Sequence, residues 1–462
     1  MANWVSLYHR FPYPLRVLAA SGRGFYLRSW RYGPETGEEV ERTLARENWS
    51  RQQWKTWQDE RLACLLHRAA TMVPYYREQW AERRRKGDRA SWDLLENWPI
   101  LTKEPVRASP KAFLAEDCDL RKMSVEFTSG TTGKPMTLFR SRETVRTWYA
   151  LNEARVKNWN GVSRHDRWAI LGGQLVTQYQ QEKPPFWVWN ISLNQLYLSS
   201  YHINPRFGED YRKAMIHYGV TYLLGYPSAM TALAQIFQES GFDAPKLRVA
   251  LSNAEQLYQH QRDLIGEVFH CPVVDTYGMV ETVAAASECD ARSMHIWPEV
   301  GIIEVVDDDE DRPLASGEVG RFICTGLLNL DMPLIRYEVG DRGAVSSLDA
   351  YCACGRTLPM IQQVEGRMDD VVLTPDGRRV GRLGPVFRGE LPVRQAQIIQ
   401  ERIDFLRVKV VPAPEYTAKT DQAIRDRLRD RVGNMEIEIE TVEAIPKSAN
   451  GKTRVIVSQL PK

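Results

Sequence analysis

The sequence of 462 residues has no uninterrupted apolar run near the ~18 residues that a membrane-crossing helix needs, so a soluble protein is expected. Cysteine is sparse and odd in number, seven residues scattered along the chain. No segment joins a basic start to an apolar stretch and a small-residue cleavage site, which argues against a secreted, disulfide-stapled fold and for reduced thiols in the cytoplasm. An excess of one charge is also missing, with 61 Lys and Arg against 59 Asp and Glu. With no global field to gather nucleic acid or anionic lipid, any anionic ligand must be held by a local site. There is no internal repeat and no low-complexity tract. What is present, 43% hydrophobic and 26% charged residues, describes a folded globular chain too long for one core, so at least two domains are expected.

The first 35 residues are rich in Arg and aromatics, and the pattern suits an arm packed on its own domain or one lying on a membrane or partner. Ser50 with Gln53 reads as a capping box that starts a long polar helix to about Met72, ended by Pro74. Between about 120 and 325, β-rich and helical runs alternate. Strands are expected at 220–224, 247–251 and 273–277, with helices opened by Pro227 and running over 255–269 between them. That order predicts a parallel α/β sheet with ligand at the strand ends, placing Gly225-Tyr226-Pro227, Ser252-Asn253-Ala254 and Thr276-Tyr277-Gly278 along one crevice. After Gly366 the pattern changes to strands, a charged helix over 421–432 stopped by Gly433, and a further strand, which reads as a small α+β unit.

The most informative stretch is Phe127-Thr128-Ser129-Gly130-Thr131-Thr132-Gly133-Lys134-Pro135. Two glycines free the backbone to curl its N–H groups around an anion, the hydroxyls add donors and Lys134 supplies positive charge. Two residues between Gly130 and Gly133 rule out the P-loop of NTPases, and a plain Ser/Thr/Gly turn is the alternative. Further motifs follow in order: Tyr277-Gly278-Met279-Val280-Glu281, Arg336-Tyr337-Glu338-Val339-Gly340-Asp341, Gly366-Arg367-Met368-Asp369-Asp370, and Pro446-Lys447-Ser448-Ala449-Asn450-Gly451-Lys452.

On these motifs the chain resembles the adenylate-forming superfamily of acyl-CoA synthetases, and within it the phenylacetate-CoA ligase and CapK-like branch. The resemblance implies an α/β fold: a large N-terminal α/β domain over 1–366 that binds nucleotide and acyl substrate, and a small, mobile C-terminal α+β domain over 367–462. It also implies roles. Thr128, Ser129, Gly130, Thr131, Thr132, Gly133 and Lys134 would hold phosphate, with Asn253, Ala254, Glu255, Thr276, Tyr277, Gly278 and Asp341 around the rest of the nucleotide. Glu281 would hold Mg²⁺, which prefers hard oxygen donors. Tyr277 offers a face for adenine and Asp341 two oxygens for the ribose hydroxyls. Arg367 would reach ribose or phosphate, Asp369 would be the hinge, and Lys452 would stabilise the adenylation transition state. The chain departs from the family at Val339 and Glu338, where Thr and a basic residue are common.

Cys352-Ala353-Cys354-Gly355, with Cys289 and His295 upstream, could complete a tetrahedral Cys₃His zinc site, and related ligases of this branch carry a structural zinc in a similar pattern. The alternative is buried thiols and a satisfied His. Cys64, Cys118, Cys271 and Cys324 read as small core residues. Trp187, Trp189, Tyr197 and Tyr201 could wall an acyl pocket or belong to the core. The activity expected is AMP-forming acid–thiol ligation using a small carboxylic acid, ATP and CoA. The alternatives are transfer of the acyl group to a carrier protein, an amine or a glycan precursor, or a nucleotide-binding protein of polysaccharide biosynthesis without turnover. Nucleic acid is not an expected partner, and a homodimer is left open.

Overall fold

The computed structural model describes residues 7–128, 136–174, 176–178, 181–367, 372–375, 379–380, 383–387, 391–446 and 454–460. The N-terminal arm is a helix, Tyr13–Arg31, started by Pro12 and Pro14, despite the lack of a clean helical period in its sequence. The Ser50 capping box forms as expected: Ser50 Oγ accepts the Gln53 N–H while Gln53 Oε1 accepts the Ser50 N–H at 2.8 Å, and the helix runs over Arg51–Met72. Pro74 ends it, and as a first-turn residue also starts the next helix, Pro74–Arg85.

The alternating segment builds a six-stranded sheet in the order Trp187–Asn190, Gln195–Ser199, Trp168–Gly172, Tyr222–Gly225, Val249–Ser252, Val273–Val274. All neighbours pair parallel except the first two strands, which are antiparallel. Its core holds Leu171, Leu196, Leu223, Ala250, Met230, Leu233, Phe237 and Phe269, contributed by the strands and by the helices Pro227–Glu239 and Gln259–Phe269. The second of these helices starts four residues later than its sequence suggests. Ala254 sits at φ +63°, and Glu255 is turned aside so that its carboxylate accepts the Ser228 N–H at 3.2 Å.

The segment expected as one strand over 273–277 divides between two sheets. Val273–Val274 closes the parallel sheet, while Thr276–Gly278 becomes the edge of a seven-stranded antiparallel sheet. That second sheet runs Gly301–Val306, Gly320–Gly326, Tyr337–Val345, Met360–Arg367, Met294–Ile296, Ala285–Glu288, Thr276–Gly278. It packs on the helices Arg51–Met72 and Pro74–Arg85 through Leu65, Leu66, Tyr76, Phe322 and Tyr337. Towards the C-terminus, a four-stranded sheet in the order Glu436–Thr441, Phe405–Pro412, Val393–Arg402, Ile456–Ser458 is covered by the helix Ala418–Val432. It has its own core of Ile398, Leu406, Val408, Ile424, Leu428 and Ile437. The whole is an α/β architecture with a separate C-terminal α+β unit.

Candidate functional site

The loops at the strand ends meet at one cleft. The hairpin Ser124–Phe127 with Thr137–Arg140 places Phe127 opposite Thr137. Its loop is tied at the root, where the Thr128 N–H donates to the Met136 carbonyl and the Met136 N–H to Thr128 Oγ1, both at 3.0 Å. Ser129, Gly130, Thr131, Thr132, Gly133 and Lys134 lie outside the described residues. On the parallel sheet, Gly225 must be glycine: an added Cβ would stand 2.6 Å from the Leu171 carbonyl oxygen. The next loop is fastened to it by Asn253 N–H donating to the Gly225 carbonyl at 3.1 Å. Thr276 Oγ1 donates to the Ser252 carbonyl at 2.7 Å, joining the two sheets at this point.

Two tyrosine–carboxylate pairs follow. Tyr277 Oη donates to Asp341 Oδ2 at 2.9 Å, and Tyr337 Oη donates to Glu281 Oε1 at 3.0 Å. The first fixes the Asp341 carboxylate against a ring itself held edge-on to Phe322. The second orients Glu281 from a fully buried tyrosine. Thr128, Asn253, Ala254, Glu255, Thr276, Tyr277, Gly278, Glu281 and Asp341 all line one cavity of about 1340 Å³. The same cavity is lined from the C-terminal unit by Phe387, Arg394 and Arg454. Arg394 reaches across to Glu239 at 2.9 Å. Arg367 ends its strand with its backbone opposite Asp341. Asp369 and Lys452 lie outside the described residues.

The departures at 338 and 339 are absorbed locally. Glu338 accepts from Arg321 at 2.8 Å, and the Val339 carbonyl accepts from Lys103 Nζ at 2.7 Å.

Sequence reasoning missed the apolar wall. Trp148, Tyr222, Leu224 and Trp297 line the cavity, with the rings of Trp148 and Trp297 5.7 Å apart. Trp187 and Trp189 instead pack on the core of the parallel sheet, Trp189 stacking on Tyr218 at 4.9 Å, so the core reading of these two holds. Asp275 was also missed, although it directly precedes the Thr276 motif. It lines the cavity and accepts from Ser252 Oγ and the Thr276 N–H, each at 2.9 Å. Burial raises its carboxyl to about 7, with the Glu288 carboxylate adding to the rise and those hydrogen bonds and Arg262 opposing it.

Away from the cleft, Cys289, His295, Cys352 and Cys354 come together from two distant segments, their ligand atoms all within 4.8 Å of one another. Cys289 Sγ is 3.6 Å from Cys352 Sγ, and Cys354 Sγ is 3.3 Å from His295 Nε2. His295 Nδ1 donates to the Leu358 carbonyl at 3.2 Å, which turns Nε2 towards the sulfurs, as a metal-ligating imidazole requires. Burial lowers the His295 pKa and so favours the neutral ring. The donor set and its enclosure fit a tetrahedral zinc. Of the remaining thiols, Cys271 and Cys324 are core residues as expected, but Cys118 is half-buried and Cys64 exposed on the outer face of its helix.

The sequence model for "AMP-binding enzyme" matches residues 78–329, more than half of the chain. The chain belongs to the AMP-binding enzyme family. Residues 372–459 match the model for the CapK C-terminal domain. Among relatives of this family member, Protein CapK of Staphylococcus aureus is 24% identical over 393 residues, covering 84% of this chain and 85% of the relative. The phenylacetate-coenzyme A ligase of Escherichia coli (strain K12) is 24% identical over 425 residues, covering 86% and 93%. The crystal structure of 2-hydroxyisobutyryl-CoA ligase in the postadenylation state with 2-HIB-AMP superposes with a TM-score of 0.65 at 18% identity, covering 87% of this chain and 89% of that one. The fold is therefore that of the adenylate-forming ligases.

Proposed function

We propose that this AMP-binding family member is a carboxylic acid ligase that joins its acid to the α-phosphate of ATP, releasing pyrophosphate, and then passes the acyl group to coenzyme A, releasing AMP. The observation that carries this reading is the convergence of Thr128, Tyr277, Glu281 and Asp341, from four separate motifs, on one cavity with an apolar wall. In the first half-reaction the acid's carboxylate oxygen attacks the α-phosphorus and the bond to pyrophosphate breaks. The residues present divide the work. Asp341, held by Tyr277, accepts from the ribose hydroxyls, and the Tyr277 ring lies beside the base. Residues 128–134, with Lys134, cradle phosphate oxygens. Trp148, Tyr222, Leu224 and Trp297 enclose the acyl group and exclude water, protecting the adenylate from hydrolysis. Glu281 would hold Mg²⁺, which when bound neutralises phosphate charge that repels the incoming carboxylate.

The division into 1–366 and 367–462, the hinge at Asp369 and the entry of Lys452 into the site belong to the same proposal. Arg454, two residues beyond Lys452, lines the cavity, which supports that placement. We assign zinc to Cys289, His295, Cys352 and Cys354 with a structural role, since four protein donors leave no open position. The match to the CapK C-terminal domain favours keeping a second reading, in which a carrier protein, an amine or a glycan precursor replaces coenzyme A. A screen of aryl, fatty and sugar acids for acid-dependent pyrophosphate release tests the first half-reaction, and silence across all of them would defeat it. Acceptor-dependent AMP release, measured with the active acid, then distinguishes coenzyme A from the other acceptors.

A further inference from the structure

The helix Tyr13–Arg31 is fastened to the body by one face. Buried Arg16 donates through Nη1 to Thr177 Oγ1 at 3.1 Å. Gly24 lies so close to the Asn190 side chain that an added Cβ would stand 2.1 Å from its amide oxygen. Ser21 Oγ accepts the Ile191 N–H at 3.1 Å, and the Ser21 carbonyl accepts from Ser192 Oγ at 2.9 Å. At 3.6 residues per turn, Leu15, Leu18, Gly22, Phe25 and Tyr26 fall on the opposite side. Leu15, Leu18, Phe25 and Tyr26 are 47%, 63%, 70% and 58% exposed. Exposed Ile191, bonded beside Ser21, continues this apolar strip onto the body.

Charge on this segment is one-sided. Residues 1–34 hold five Arg and no acid, the first carboxylate being Glu35, while the rest of the chain sets 56 cations against 59 acids. Arg10, Arg23 and Arg28 are exposed; Arg23 lies at the edge of the apolar strip beside Tyr26, while Arg28 falls between Gly24 and Ser21 on the fastened side. Among the described residues no helix is long and apolar enough to cross a membrane, so an apolar strip edged by arginine suits lying on a lipid surface rather than spanning it.

We propose that the outer face of Tyr13–Arg31 docks on an anionic phospholipid surface, Leu15, Leu18, Phe25 and Tyr26 entering the interface while Arg10 and Arg23 meet headgroup phosphates. An anionic bilayer satisfies both features together, apolar insertion and cation attraction, and demands no matching shape. The inference is independent of the acyl-transfer reading, because none of these residues lines the cavity.

Co-sedimentation of the full chain with phosphatidylglycerol–phosphatidylcholine vesicles, and with phosphatidylcholine alone, tests it. Binding is expected on the anionic vesicles, weakening as salt screens the headgroups. Leu18→Glu with Phe25→Glu should cut the partition at least ~tenfold by removing apolar insertion. Arg10→Gln and Arg23→Gln, exposed positions that leave folding alone, should each cost about fivefold. Equal partition to neutral and anionic vesicles, or none to either, overturns the proposal. So does a dimer seen by light scattering that Leu18→Glu converts to monomer while vesicle binding is absent, since the occupant would then be a second copy.

Discussion

One antiparallel sheet carries two sites of opposite character. At the large cleft it supplies Tyr277, Asp341 and the backbone of Arg367, polar groups around open volume. At the thiol cluster it supplies His295 and leads directly into Cys289 and on to Cys352, packed with Met360 in a closed knot. The strand Ala285–Glu288 touches both, since Ala286 pairs with Tyr277 and Cys289 follows Glu288. The contrast teaches how the sheet is used. Polar groups around a cavity can serve a ligand that comes and goes, whereas four metal-type donors packed against one another would, on the proposed zinc, tie down the strands that carry the first set.

The sharpest way to break this division is at Lys452. If the C-terminal unit brings Lys452 to the cleft for the first half-reaction alone, Lys452→Ala should slow acyl-adenylate formation by about a hundred- to thousandfold, the usual loss for one preorganised electrostatic contact. Thioester formation from supplied acyl-adenylate should stay nearly intact. Equal loss in both half-reactions, measured separately, would make the lysine structural. Next in size is Asp341, the carboxylate proposed for the ribose: Asp341→Ala should weaken AMP and ATP alike by ~10- to 100-fold, as expected for hydrogen bonds to a charged group. Tyr277→Phe keeps the ring but removes the bond that holds Asp341, so calorimetry should read a loss of only a few-fold. Unchanged nucleotide affinity in Asp341→Ala would remove that residue from the site.

The thiol cluster should respond in the opposite sense. Elemental analysis of the parent should find one zinc per chain, and Cys352→Ser with Cys354→Ser should abolish it and lower Tm by about 5 °C or more. Nucleotide affinity should shift far less than in Asp341→Ala. Full zinc content in the double variant would exclude these ligands, and a loss of nucleotide binding as large as that of Asp341→Ala would erase the proposed division.

Legibility in the sequence followed the range of the interactions. The Ser50 cap, Pro74 and the charged helix ended by Gly433 are local, set by residues three or four apart, and were readable. The ordered motifs gave Thr128, Tyr277, Glu281 and Asp341, which the fold brings to one cavity, but only the folded chain reveals the Tyr277–Asp341 and Tyr337–Glu281 bonds, across 64 and 56 residues. The aromatics that do line the cavity, Trp148 and Trp297, were missed for a related reason. Trp187 and Trp189 are as aromatic as Trp148 and Trp297, and the face each strand or helix turns to the cleft depends on packing that no local pattern records. The split of 273–277 between two sheets follows from the same limit: a run of five residues, four of them β-prone, cannot declare two different partners.

The smallest expected effect concerns the polar link between the two sites. Asp275 accepts from Ser252 and the Thr276 N–H on the cleft side, while its own N–H donates to Glu288 Oε2 at 2.9 Å, and Glu288, paired with Arg262, adjoins Cys289. Burial favours the neutral acid and raises it to about 7. The folded state therefore holds this proton at pH values where the unfolded chain, with an ordinary carboxyl near ~4, has lost it. Fewer protons bound in the unfolded state means that this group's contribution to stability falls as pH rises from ~4 to ~7, and is level above that. Asp275→Asn keeps an acceptor for Ser252 but has nothing to ionise. Its Tm relative to the parent should rise by a few degrees between pH 5 and pH 8, where the parent bears the cost of a buried charge, and the difference should be flat beyond. A difference constant across that range would mean that Asp275 is already ionised in the folded chain, held by Arg262 and its hydrogen bonds as firmly as the carboxylates of the cleft.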